Sequence, residues 1–154
     1  MTMTGLQAAE QSPTAILTVH VAGQALGLPV MSVRDVLAEP QPTPVPLAPR
    51  AVAGNLNLRG RVAIAICLRR RLGLPDAPHG QSRMAVLAEQ GSELCALLVD
   101  QVGEVATLSA AQLEPPPATL PPGIAAFAES VARLPDALLL MLSVPRLLDV
   151  RPQD

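Results

Sequence analysis

The chain has no tryptophan and no tyrosine, and Phe127 is its single phenylalanine. A core without large rings must be filled by many small aliphatic contacts from Leu, Val and Ala. Cysteine is nearly absent too. Cys67 and Cys95 stand far apart, show no C-x-x-C spacing and lie inside apolar runs, which argues for two inert buried thiols rather than a disulfide, a metal pair or a redox sensor. Two isolated histidines, His20 in a strand-like run and His79 in a loop, offer no Ser-His-Asp or Cys-His arrangement. The 13 acidic residues are scattered without metal-ligand spacing, and Gly54 to Gly60 lacks the Lys-Ser/Thr of a phosphate loop. Together these absences argue against an enzyme and call for no cofactor and no metal. No apolar run is long enough for a membrane span, and Met1 to Gln11 has neither a basic start nor an apolar stretch. The expectation is a cytoplasmic protein without direct membrane insertion. A net charge of −2 gives no bulk attraction to nucleic acid.

What is present is apolar and broken into short pieces. Hydrophobic residues make up 49% of the chain, enough for a sizeable core. Proline, at 17 residues, punctuates the chain, with five between Pro40 and Pro49 and three at Pro115 to Pro117. Proline gives no N–H to a ladder, so regular elements must be short, which favours an all-β barrel or sandwich.

The chain is organised around residues 54–74. Leu56 and Leu58 alternate with Asn55 and Asn57; Val62 to Ile66 is apolar throughout. This predicts a hairpin turning at Gly60, with Arg59 on a rigid corner beside the turn. The second strand is expected to be buried on both sides, with Val62, Ile64 and Ile66 on one face and Ala63 and Ala65 on the other. Leu68 to Leu72 then reads as a short cationic helix ended by Gly73, with Arg69, Arg70 and Arg71 on a solvated face.

Gly54-x-x-Asn57-Leu58-Arg59-Gly60, an apolar strand, and Leu68-Arg69-x-Arg71-Leu72-Gly73-Leu74 resemble the signature of the CheW-like domain family. The resemblance extends to Val33-Arg34-Asp35 (an apolar residue, then one intervening residue, then an acid, with Asp for the more usual Glu). It includes the proline-containing approach Val45 to Pro49, Val99-Asp100 followed by Val102 and Val105, and a closing apolar strand with a Leu147-Leu148 helix. It runs from about Thr14 to about Asp149.

The remaining elements follow in order. Residues 1–13 read as a mobile tail and 151–154 as a second tail, leaving one domain over 14–150. Thr14 to Val21 and Ala25 to Val30 form a hairpin. Met31 to Glu39 is either one helical turn or a bent strand. Pro40 to Pro49 is an extended connector and Arg50 to Ala53 a single helical turn. Arg83 to Glu89 and Glu93 to Val99 make another hairpin. Ser109 caps a turn, Gly123 to Arg133 holds a strand, Asp136-Ala137 turns into Leu138 to Leu142, and Val144 to Val150 is a short amphipathic helix.

The resemblance implies an all-β fold with minor helix: two small SH3-like β-barrel lobes packed together with a groove between them. It implies a stand-alone, non-catalytic adaptor. The implied partners are the regulatory domain of a CheA-type histidine kinase and the cytoplasmic tip of methyl-accepting chemoreceptors. The implied partner-binding set is Val33, Asp35, Gly54, Asn57, Arg59, Gly60, Cys95 and Ala96. Asp35 and Arg59 carry most of that expectation, against the alternative that they merely pair and pin the hairpin. Two departures stand out. Cys67 replaces the family's frequent Asp before the Leu-Arg helix and cannot cap it as Asp would. Ala96 replaces a frequent Gly. A non-flagellar chemosensory pathway, or a small redox-sensing or enzymatic barrel, are the competing readings.

Overall fold

The computed structural model describes residues 13–135 and 137–149. The tail read over residues 1–13 (all but Pro13), Asp136 of the predicted turn, Val150 and the tail read over 151–154 lie outside the described residues.

Strands β1 (Thr14–Val21) and β2 (Gln24–Pro29) form the first hairpin, Val21 facing Gln24 across Ala22-Gly23. Both turn residues have positive φ, 51° and 80°, as a right-twisted hairpin requires. Pro29 ends β2, and a 3-10 turn (Val30–Ser32) leads into β3 (Asp35–Ala38), so Met31 to Glu39 holds both a helical turn and a strand. The connector then crosses the next strand: Thr43 and Asn55 exchange N–H···O bonds of 2.8 Å. The helical turn expected over Arg50 to Ala53 is a plain turn leading directly into β4 (Val52–Leu58). Long-range pairing overrides local preference there, since Val52 already faces Ile66 and the Cys67 N–H donates to the Ala51 carbonyl at 2.7 Å. Strand β5 (Arg61–Cys67) returns across a two-residue turn and enters helix α1 (Leu68–Arg71). Gly73 ends the helix at φ 75°, its N–H donating to the Arg70 carbonyl and that of Leu74 to Arg69.

Strands β6 (Met84–Gln90), β7 (Glu93–Val99) and β8 (Gln101–Leu108) follow. A capping box, Ser109 with Gln112, starts a 3-10 turn before the short β9 (Leu113–Glu114). The strand expected from Gly123 begins later. Pro121-Pro122 starts helix α2 (Pro122–Ala125) instead, and only then does β10 (Ala128–Arg133) run. Gly123 is needed where it sits, because a Cβ there would lie 2.3 Å from the Leu72 carbonyl oxygen. Strand β11 (Leu138–Leu142) and helix α3 (Val144–Leu148) close the described chain, with Leu147 and Leu148 buried.

The strands form two sheets. One is ordered β8-β1-β2-β11-β10-β9, the other β3-β6-β7-β5-β4. The second is contiguous in sequence; the first is built from the two ends of the chain, joined by the parallel pair β2–β11. Each sheet has its own small cluster: Leu56, Ala63, Ala85, Leu87 and Ala96 in the five-stranded lobe, Ile16, Leu108, Leu139 and Met141 in the six-stranded lobe. The largest cluster combines residues of both, among them Val19, Leu26 and Leu28 with Ile66, Leu97 and Val99. The lobes therefore share their main core. Strand β5 explains how. Its Ala63 and Ala65 pack inside the five-stranded lobe, while Ile66 points into the shared core and Ile64 packs against it. The expectation for Val62 fails: it is 59% exposed, because the shared core on this face ends at Ile64 and does not reach the hairpin tip.

Candidate functional site

Strand β5 has arginines at both ends, and the two groups are held in opposite ways. At the hairpin tip, Leu58 faces Arg61, so Arg59 and Gly60 are the turn itself. Their φ values are 53° and 86°. Arg59 thus adopts a left-handed conformation that costs a residue with a Cβ roughly 1–2 kcal/mol. The Gly60 N–H donates to Asn57 Oδ1 at 3.2 Å, which fixes the turn from the preceding strand. Arg59 is exposed, and among the described residues it makes no ion pair or hydrogen bond.

Asp35 is exposed on β3, the other edge strand of the sheet, and its Oδ1 accepts from the Val36 N–H at 2.8 Å. The pinning pair between Asp35 and Arg59 is not formed. The acid that joins charges at this end is Glu89, 3.3 Å from Arg34 and 3.6 Å from Arg61. Sequence reasoning passed over Glu89, Arg34 and Arg61; only the register across three strands brings them together. Both arginines are largely exposed, so these pairs contribute roughly 0–1 kcal/mol each.

The other expected site residues divide between surface and interior. Asn57 and Gly60 are exposed and Val33 is half-buried against the shared core. Gly54 is buried at φ 150°, and a Cβ there would fall 2.2 Å from the Thr43 carbonyl oxygen, so glycine is required by the crossing connector. Cys95 and Ala96 are 3% and 0% exposed. Cys95 faces Ile64 and Ala96 faces Ala65 across the parallel pair β5–β7. Both are interior side chains that shape the lobe from within. Burial also pushes the Cys95 thiol up, which keeps it protonated and inert.

At the far end of β5, α1 is a single turn with Cys67 in the N-cap position, making no side-chain cap. Consecutive helical residues point about 100° apart, so Arg69, Arg70 and Arg71 cannot share a face. Each has its own partner, which corrects the expectation of a solvated face. Arg69 holds Asp100 with two bonds, Nε to Oδ1 at 2.9 Å and Nη2 to Oδ2 at 2.6 Å. Asp100 Oδ2 also accepts from the Ala22 N–H at 2.9 Å, so one carboxylate joins α1 of the five-stranded lobe to the first turn of the other. The two side chains are 12% and 16% exposed. Arg70 stays within its own lobe, bonded to Asp76 at 3.0 and 3.3 Å. Arg71 reaches the end of α3, donating to the carbonyls of Leu147, Arg146 and Asp149 at 3.1, 2.7 and 2.7 Å. Its guanidinium also lies 4.7 Å from the centre of the Phe127 ring.

The electrostatics agree with this geometry. Burial pushes the Asp100 carboxyl up, but the bonds from Arg69 and Ala22 and the Arg69 charge outweigh it and hold it below the ordinary range. The Arg70 bond does the same for Asp76. The Asp100 bond raises Arg69, whereas burial lowers Arg71, which faces carbonyl dipoles and an aromatic ring. Beside this joint lies a cavity of about 290 Å³ walled by Cys67, Arg69, Arg70, Asp76, Arg83 and Asp100. Among the described residues no group of three or more His, Cys, Asp or Glu is placed to hold a metal. None of the helices among them is long and apolar enough to cross a membrane.

The CheW-like domain profile matches residues 15–151. The chain belongs to the CheW-like domain family. Its fold is similar to that of the scaffolding protein TtCheW from Thermoanaerobacter tengcongensis, with a TM-score of 0.80 and 27% identity over 90% of this chain and 94% of that one. It is 31% identical to the chemotaxis protein CheW of Rhizobium meliloti, over 66% of each chain. It is 27% identical to the chemotaxis protein CheW of Bacillus subtilis, over 84% of this chain and 83% of that one. Within the CheW-like fold, the family motif from Gly54 to Gly60 has a physical reading. Gly54 admits the crossing connector, Asn57 ties the turn, and Gly60 lets Arg59 project from a fixed backbone.

Proposed function

We propose that this CheW-like chain is a non-catalytic adaptor of chemosensory signalling. It bridges the cytoplasmic tip of a methyl-accepting chemoreceptor and the regulatory domain of a CheA-type histidine kinase, with the hairpin tip as a contact surface. Family membership and the likeness to a scaffolding protein support the adaptor role. One observation carries the choice of surface: Arg59 is exposed, unpaired among the described residues, and held on a strained two-residue turn. Strained backbone persists where the surrounding structure over-determines it, and such positions cluster at functional sites. A guanidinium presented this way loses little freedom on binding and offers five donors in a fixed fork. Asp35 and Asn57 are further exposed contacts of the five-stranded lobe; the partly buried Arg69–Asp100 joint fixes how that lobe sits on the other. Co-sedimentation of the chain with a receptor-tip fragment and the kinase regulatory domain tests the proposal. The chain is expected in the pellet with both partners; a chain that stays in the supernatant with both partners present would refute the adaptor reading.

A further inference from the structure

The cavity beside α1 holds an imbalance of charge. Arg69 is matched by Asp100 and Arg70 by Asp76, which Arg50 also approaches at 3.9 Å. Arg83 lines the same cavity and, among the described residues, has no acid and no side-chain hydrogen bond of its own. Three arginines thus line the cavity against two carboxylates, with Arg50 beside Asp76 outside its wall, in a chain whose net charge is −2. Arg83 is half-buried, yet none of its nitrogens is sealed from solvent. It also lines an adjoining depression with Gln81, Ser82 and Glu39, but Glu39 does not come within ion-pair distance of it. A guanidinium in a cleft partly shielded from water attracts an anion more strongly than one on an open surface. Its planar fork matches a carboxylate or phosphate edge. A volume of about 290 Å³ leaves ample room for a small anion.

We propose that this cavity is a binding site for a small oxyanion, a phosphate or a short carboxylate, with Arg83 as its principal cation. Gln81 stands on the wall with its side chain turned toward Asp100, and Gly80, at φ 86° with no side chain, leaves the loop backbone open beside it. The same cavity is walled by Arg69 and Asp100, so the bound ion sits against the joint between the lobes. This site is separate from the hairpin tip and does not depend on the adaptor reading.

The test is a titration of the isotope-labelled full chain with inorganic phosphate and, separately, with succinate at constant ionic strength, following backbone amide resonances. At least one probe should give saturable shifts at Asp76, Gly80, Gln81 and Arg83. Arg83→Gln should weaken that binding at least tenfold, Arg83→Lys by less, and Arg133→Gln, on the exposed pair with Glu114, should leave it unchanged. Unaltered resonances away from the cavity verify that the variants fold; should Arg83→Gln fail that check, Arg83→Lys against Arg133→Gln makes the same comparison. Saturation by phosphate alone identifies a tetrahedral ligand, and saturation by succinate alone a carboxylate. Equal affinity in Arg83→Gln and the parent chain, or no saturable shift with either probe, overturns the proposal.

Discussion

The arginines before and after β5 belong to one short segment, yet they do opposite things. Arg59 sits on a two-residue turn whose backbone is held by Asn57 and the strand ladder, while its side chain is left in water. Arg69 and Arg71 sit on one turn of helix with Asp100, Ala22 and the end of α3 around them. The difference lies in where the surrounding residues lie in sequence. The tip is made by neighbours, so its geometry is local and its arginine is left unused. The helix is met by partners from the other lobe, so its arginines are consumed in holding the molecule together. An arginine run is thus no guide to a solvated face.

The largest effect should come from emptying the joint. Arg69→Ala would leave Asp100, only 16% exposed, without its charge partner. The pair is partly buried, so the loss should stay below the roughly 3–5 kcal/mol of breaking a fully buried pair, and is read as a lower urea midpoint. A midpoint equal to the parent's would mean that Arg69 is as dispensable to folding as Arg59. Arg71→Ala comes next. It removes three bonds to carbonyls at the end of α3 and the contact with Phe127, with an expected loss of about 1–3 kcal/mol in the same assay.

Acid should act on the joint and spare the tip. The folded carboxyls of Asp100 and Asp76 are held below their ordinary range, so the unfolded chain binds more protons near and below pH 4. Their contribution is complete above the unfolded value of about 3.9 and is lost as pH falls through the lower folded values. Melting temperature measured from pH 6 down to pH 2 should drop below about pH 4, and the drop should be shallower in Arg69→Ala. Equal slopes would remove the linkage to Asp100. The smallest effect belongs to the tip itself: Arg59→Asn should raise stability by at most about 1 kcal/mol, because Asn accepts a left-handed turn position more readily than Arg. A loss of stability there would mean that Arg59 has a structural partner after all.

The same contrast explains what could be read from the sequence. The hairpin from Asn55 to Ile66 was legible because alternation and Gly60 are local signals, and the ending of α1 at Gly73 was legible for the same reason. An all-β fold followed from short apolar runs between prolines; its division into two lobes followed only from the resemblance to the CheW-like family. The roles of Arg69 and Arg71 were not legible: Asp100 is 31 positions away and the α3 carbonyls about 75. Glu89, which takes Arg34 and Arg61, is hidden in the same way, and so is the crossing of Thr43 over Gly54 that makes this glycine necessary. Cys95 and Ala96 resembled site residues by position alone; burial moves them to the interior.

The central claim is that the tip arginine serves binding and the helix arginines serve the fold. Arg59→Glu tests it most directly, with melting temperature and association with the kinase regulatory domain and the receptor tip measured on the same preparation. The account predicts an unchanged melting temperature and a loss of association with at least one partner worth about 2 kcal/mol or more, as for an arginine at the centre of an interface. Stable Arg59→Glu protein that binds both partners with the parent's affinity would contradict it.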